Sequence, residues 1–274
     1  MNRLNNVLRK NKEAGRGIFM AGMVPGFPDL ETSFEIAKTI IEAGADILEL
    51  SSSFSDPVAD GPTLQQAHNH VLGQGISKEQ IFRLYERIRS AFPDIPMFVI
   101  EYANCVHRPG IDSYYRRLAQ GGVDSLLIPD LSLEEAPPFL RSALAHKIKQ
   151  VFIAAPTTPD ERIMKLSRAS SGFLYLVTIT GVTGQRDRFS RETSDFIKRV
   201  KTIVGLPVIA GFGIASPEHV KQALSSGACG AVSCSSIVNL IRENGNDKNS
   251  MAELLSGYIK DMKAATNGFS TARA

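Results

Sequence analysis

Cysteine is scarce, neither charge sign is in real excess, and no long apolar run occurs, and each shortage removes a class of protein. The three cysteines, Cys105, Cys229 and Cys234, form no metal-ligand spacing, and their odd number argues against a disulfide framework. A reducing compartment and no metal are expected. Lys and Arg number 31 against 28 Asp and Glu, a formal charge of +3 dispersed along the chain. Nothing basic is gathered to meet a nucleic acid or a membrane surface. No stretch of about 18 apolar residues is present, and the basic start MNRLNNVLRKNKEAGRG lacks the apolar centre of a signal peptide. A soluble, cytoplasmic protein is expected. Also missing is the GxGxxG turn that usually marks an open dinucleotide-binding sheet.

What is present is an alternation of two periodicities. After an amphipathic helix over 2–13, an apolar strand runs until Pro25, Gly26 and Pro28 break it, and the apolar positions of 31–44 recur at helical spacing. Helix then strand follow again at 78–92 and 96–102, 113–122 and 123–130, 133–147 and 150–155. The pattern continues at 160–170 and 172–179, 191–204 and 206–213, 216–227 and 228–235, with helices at 235–244 and 250–265 closing the chain. Eight near-continuous apolar strands alternating with helices imply a parallel sheet covered by helices. Three junctions, EAGADILEL, QGGVDSLLI and SSGACGAVS, share a helix-ending glycine before the next strand. A single (β/α)8 TIM barrel spanning 1–274 is expected. An N-terminal helix occupies 1–16, a short helix follows strand eight, and 267–274 form a disordered tail. A barrel of about 250 residues is commonly one domain.

In a barrel, function belongs at the C-terminal ends of the strands. The stretch 49–62, ELSSSFSDPVADGP, is where an apolar strand empties into a turn-rich loop carrying Asp56 and Asp60. Glu49 alternates onto the face of Ile47, so its carboxyl points where an apolar side chain would otherwise go. Three acidic residues within twelve positions favour a site over a strand-end ion pair. Farther on, GVTG (Gly181 to Gly184), GFG (Gly211 to Gly213) and the helix start at Ser235 bring glycine-exposed backbone and a helix N-terminus to strands six to eight. Such a cradle of N–H groups suits a phosphate.

These pieces together carry a resemblance. ADILEL followed by FSDPVADGP, then EYAN, PDL with EEA, APTT, GVTG, AGFGI with SPE, and the SSIV helix start resemble the alpha subunit of tryptophan synthase, in order and spacing from about residue 18 to residue 265. That family is a (β/α)8 barrel that cleaves indole-3-glycerol phosphate to indole and glyceraldehyde 3-phosphate. It needs no cofactor of its own, and its usual partner is a pyridoxal-phosphate beta subunit, as an alpha2beta2 heterotetramer. By this resemblance Glu49 is the acid/base catalyst, and Asp60 accepts the indole N–H and stabilises charge on the ring. Ile100, Tyr102, Leu127, Ile153 and Tyr175 line the indole pocket, Thr183 belongs to a loop closing over Asp60, and Gly184, Gly213, Cys234 and Ser235 hold the phosphate.

The chain departs from the family pattern at strand ends and loops. Ser51 and Ser53 stand where the family has glycine and proline, Ser132 and Pro25 replace other loop residues, Cys234 replaces a glycine, and Gly22 stands where an aromatic ring commonly covers the indole. Losing the glycine's freedom and the proline's fixed φ predicts a loop 54–60 with more conformations. Two other readings stay open at this point: a related retro-aldol lyase acting on another phosphorylated substrate, and a non-catalytic partner that only activates a beta subunit.

Overall fold

The computed structural model describes residues 3–177, 190–211 and 213–268. Among these residues nine strands make one parallel sheet: β1 (Ile18–Met23), β2 (Ile47–Ser51), β3 (Met97–Ile100), β4 (Ser125–Leu127), β5 (Lys149–Val151), β6 (Ile153–Ala154), β7 (Leu174–Val177), β8 (Val208–Gly211) and β9 (Gly230–Ser233). Their order is β5-β4-β3-β2-β1-β9-β8-β7-β6. The two end members are halves of one extended run interrupted at Phe152, so nine strands fill the eight positions of a (β/α)8 barrel. Phe152 donates its amide to the Ser170 hydroxyl at 3.1 Å instead of to a strand neighbour. That one diverted hydrogen bond explains why periodicity gives eight strands and the ladder nine.

Side-chain alternation sorts the apolar residues into two cores. Ile18 and Met20 of β1, Ile47 of β2 and Phe98 of β3 fill the barrel interior, whereas Phe19, Ala21, Leu48, Leu50 and Val99 pack outward against the helices. The next inward positions toward the C-terminal end are Gly22, Glu49 and Ile100, and on β8 the inward Ile209 is followed by Gly211. The interior is therefore apolar at its base and turns polar where the strands end.

The base is stoppered by the helix Arg3–Glu13, whose fully buried Leu4 joins the interior cluster. Carboxylates at this end are each met by a cation: Asp124 by Arg89 at 2.9 Å and Arg3 at 3.3 Å, and Asp46 by Lys263 at 2.6 Å.

Two helices depart from the pattern reading. Pro62–Gly73, which falls between the segments assigned from periodicity, opens with proline in its first turn after Gly61 and buries Leu64, Ala67, His68 and Val71. The polar His68 on its inner face hides the apolar stripe. The helix expected over 133–147 is confined to Pro137–Ala145, because its prolines are tolerated only in a first turn. Asp29 caps the helix Leu30–Glu42, accepting from the Thr32 amide at 2.8 Å. Of the expected tail, 269–274 lie outside the described residues.

Leu4→Ala should therefore open a void at the barrel base and cost about 2–5 kcal/mol in denaturant unfolding, while activity per folded molecule stays that of the parent. A loss under about 1 kcal/mol would show that the helix does not plug the barrel.

Candidate active site

Glu49 sits in the sheet between Gly22 of β1 and Phe98 of β3, with only 2% of its surface exposed. Burial, and after it the negative charge of Asp60, raise its pKa to about 8, against the opposing influence of hydrogen bonds with Tyr175 and Cys234. No cation is aimed at it among the described ion pairs, in contrast to the carboxylates at the base. Its Oε2 is buried without a hydrogen-bond partner among the described residues. The group is thus a proton store with one oxygen uncommitted, which is what a general acid needs.

The space around it is tightly shared. A Cβ on Gly22 would lie 2.6 Å from Cys234 Cβ, 2.7 Å from its Sγ and 2.7 Å from Glu49 Oε1. Gly22 is therefore dictated by the thiol and carboxyl over it, and a side chain there and the Cys234 side chain exclude one another. Burial and the Glu49 charge hold the Cys234 thiol in its neutral form, its pKa well above the usual value.

The loop leaving β2 returns Asp60 to this end of the barrel. Tyr102 donates its hydroxyl hydrogen to Asp60 Oδ2 at 2.8 Å and accepts from the Ala59 amide at 3.1 Å. Its ring stacks on Phe54, centroids 5.0 Å apart. Tyr102, expected as pocket wall, thereby clamps the loop by its hydroxyl as well. Burial and the Asp60 charge push its pKa upward, keeping it a donor. The fully buried His68 places Nε2 3.4 Å from the same Asp60 oxygen, and neither ring nitrogen has a hydrogen-bond partner among the described residues.

Leu127 and Tyr175 belong to the interior cluster, with Ile100 and Ile153 packed against it. The Tyr175 hydroxyl bonds Glu49, and burial with the Glu49 charge raises its pKa. Beyond the end of β8, Gly213 has φ +75°, a conformation that favours glycine. Cys234 is the N-cap of Ser235–Asn244 and its side chain makes no capping hydrogen bond, which leaves first-turn N–H groups for an anion. Thr183 and Gly184 lie outside the described residues.

Sequence reasoning missed His68, because it missed the helix that carries it. It also missed Glu101 and Lys78, which meet beneath the loop at 2.6 Å. A carboxylate directly after the apolar run of β3 repeats the signal that drew attention to Glu49. No group of three or more candidate metal ligands occurs among the described residues.

A family model described as tryptophan synthase alpha chain matches residues 8–267. The tryptophan synthase alpha chain of Methanothermobacter thermautotrophicus is 44% identical over 247 residues, 90% of this chain and 91% of that relative. That of an Escherichia coli strain is 38% identical over 266 residues, 97% of this chain and 99% of the relative. Among solved structures, a mutant tryptophan synthase alpha-subunit from Pyrococcus furiosus superposes with a TM-score of 0.83 at 32% identity, covering 90% of this chain and 98% of the other. A chain of Mycobacterium tuberculosis tryptophan synthase gives 0.87 at 29%, covering 97% and 98%.

Two outcomes follow from this geometry. Gly22→Ala should cost about 1–3 kcal/mol through overpacking and disturb Glu49, and Cys234→Gly in the same chain should restore most of both losses. Additive losses in that double-mutant cycle would refute the shared space. The second concerns pH. Because the folded-state pKa of Glu49, about 8, lies above its usual 4.5, its stabilising effect is complete below pH 4.5 and is lost as pH rises through 8, at about 1.4 kcal/mol per unit in between. Glu49→Gln carries no such loss. Its melting temperature should gain on the parent from pH 5 to pH 8 and then level, and a gap independent of pH would contradict the burial argument.

Proposed function

The chain belongs to the tryptophan synthase alpha chain family, and on that premise we propose that Glu49 and Asp60 are the groups by which it carries out the family's reaction. It is a carbon–carbon lyase of tryptophan biosynthesis that cleaves indole-3-glycerol phosphate into indole and glyceraldehyde 3-phosphate. Cleavage requires a proton to reach the indole ring carbon and another to leave the side-chain hydroxyl. One carboxyl able to give and then take a proton serves both steps. The observation that carries the assignment is the buried Glu49, protonatable up to about pH 8 and with a free Oε2.

Asp60 takes the complementary part. Held by Tyr102, its carboxylate accepts the indole N–H and offsets the positive charge that develops on the protonated ring. Ile100, Leu127, Ile153 and Tyr175 flank the apolar ring, and Tyr102 both borders it and fixes Asp60. Gly213, Ser235 and the Cys234 backbone receive the phosphate, with Gly184 completing the cradle and Thr183 the loop that closes over Asp60. The family's partner is a beta subunit, and one of the solved relatives is a tryptophan synthase complex from Pyrococcus furiosus. An alpha2beta2 assembly, a cytoplasmic location and a single domain over the full chain are the readings we adopt. No described helix is long and apolar enough to cross a membrane.

Indole release from indole-3-glycerol phosphate by the purified chain, alone and with a beta subunit, tests the reading directly. Glu49→Gln should lower kcat by at least ~100-fold with the fold retained, and near-normal turnover would remove Glu49 from the mechanism. For the parent, kcat/KM should decline above about pH 8 as the acid form of Glu49 is lost. Ser235→Asp places a carboxylate where the phosphate lies, so KM should rise far more than stability falls. An unchanged KM would move the phosphate elsewhere.

A further inference from the structure

We propose that Lys78 is a positioning residue for the lyase reaction, acting through the buried Glu101 to hold the β2 loop and Tyr102 where they present Asp60. The inference rests on the assignment of Asp60 above. Glu101 follows the inward-facing Ile100, so alternation turns it outward, between sheet and helices, where it has no solvent exposure. A carboxylate so placed needs donors and a cation. It receives the Tyr102 amide at 3.1 Å on Oε1, the Tyr114 hydroxyl at 2.7 Å on Oε2, and Lys78 Nζ at 2.6 Å on Oε2.

Lys78 uses its remaining donors on the catalytic loop itself. Nζ reaches the Ser52 hydroxyl at 2.6 Å and the Ser53 carbonyl at 3.0 Å. Three acceptors match the three protons of an ammonium. Its backbone is fixed as well, as the first residue of the helix Lys78–Ala91 behind a Ser77 and Gln80 capping box. The loop and Tyr102 are therefore anchored to one charge. Tyr102 then connects this charge to the chemistry, through its amide on Glu101, its ring on Phe54 and its hydroxyl on Asp60. Lys78 thereby holds the root of the loop through Ser52 and Ser53. Removing the ammonium leaves Glu101 buried without a cation. Any shift of Glu101 in response would take the Tyr102 amide, bonded to its Oε1, with it.

The test separates positioning from mere stability. Lys78→Met with Glu101→Met replaces the ion pair by apolar side chains of similar volume, an exchange that commonly leaves stability unharmed. With melting temperature retained, kcat for indole release should fall by at least ~10-fold, with KM shifted less than about three-fold. Lys78→Arg, which keeps the cation, should stay within about three-fold of the parent. In an Asp60→Asn background the Lys78 and Glu101 double substitution should add less than about two-fold to the loss, since both changes act on one carboxylate. Parental kcat in the double variant, or losses that multiply in the Asp60→Asn background, would overturn the proposal. Should the double variant fail to fold, Lys78→Met assayed below its own melting temperature is judged by the same two criteria. Inactivity of the parent chain on indole-3-glycerol phosphate would instead count against the functional reading, before any variant is compared.

Discussion

A carboxyl group removed from water and left without a cation sets the terms for the C-terminal end of this barrel. Asp124, Asp46 and Glu101 are buried or nearly so, and each is met by Arg or Lys within 3.0 Å. Glu49, buried as deeply, has hydrogen bonds with a tyrosine and a thiol instead, and a negative charge nearby. Its anion is disfavoured, and the proton stays on well above the usual carboxylate range. Such an arrangement persists only in a stiff surrounding. The sheet fixes the Glu49 backbone on both sides, and its carboxyl shares with the Cys234 side chain the space that the missing side chain of Gly22 leaves.

Asp60 answers to the opposite requirement. It lies on a loop outside the sheet, so its position is assembled from pieces: the Tyr102 hydroxyl, the Phe54 ring stacked on Tyr102, the His68 imidazole, and the Lys78 contacts at the loop's root. The two carboxylates are electrically linked, since the charge on Asp60 helps keep Glu49 protonated. A change that displaces Asp60 therefore alters the acidity of Glu49 as well. The loop is the adjustable half of a site whose other half is built into the sheet.

Much of this could be read from the chain. The strands announce themselves because parallel strands buried on both faces are apolar without interruption, and the alternation that places Glu49 inward needs only a period of two. The loop at 49–62 is visible from its turn residues. Less legible was whatever depends on polar residues at buried positions. His68 dilutes the stripe of its own helix, Glu101 is one residue out of phase with the interior, and Ser170 splits a strand from a distance of 18 residues by taking one amide. In each case the partner that makes the polar group acceptable is remote in sequence, and no local pattern names it.

The sequence by itself determined the number of βα units, the strand faces, and the presence of an inward carboxyl at the end of β2 followed by an acidic loop, because these follow from periodicity and turn chemistry within a few residues. Tertiary structure alone decided the rest. Closure of the sheet brings Cys234 of the last unit over Gly22 of the first, beside Glu49. Burial and the approach of Asp60, not the identity of the residue, raise the Glu49 pKa to about 8. The pairing of Lys78 with Glu101, 23 positions away, turns two ordinary surface-type residues into an anchor for the loop. Electrostatic energy depends on distance and solvent exposure, and both are properties of the folded barrel that no stretch of the chain carries alone.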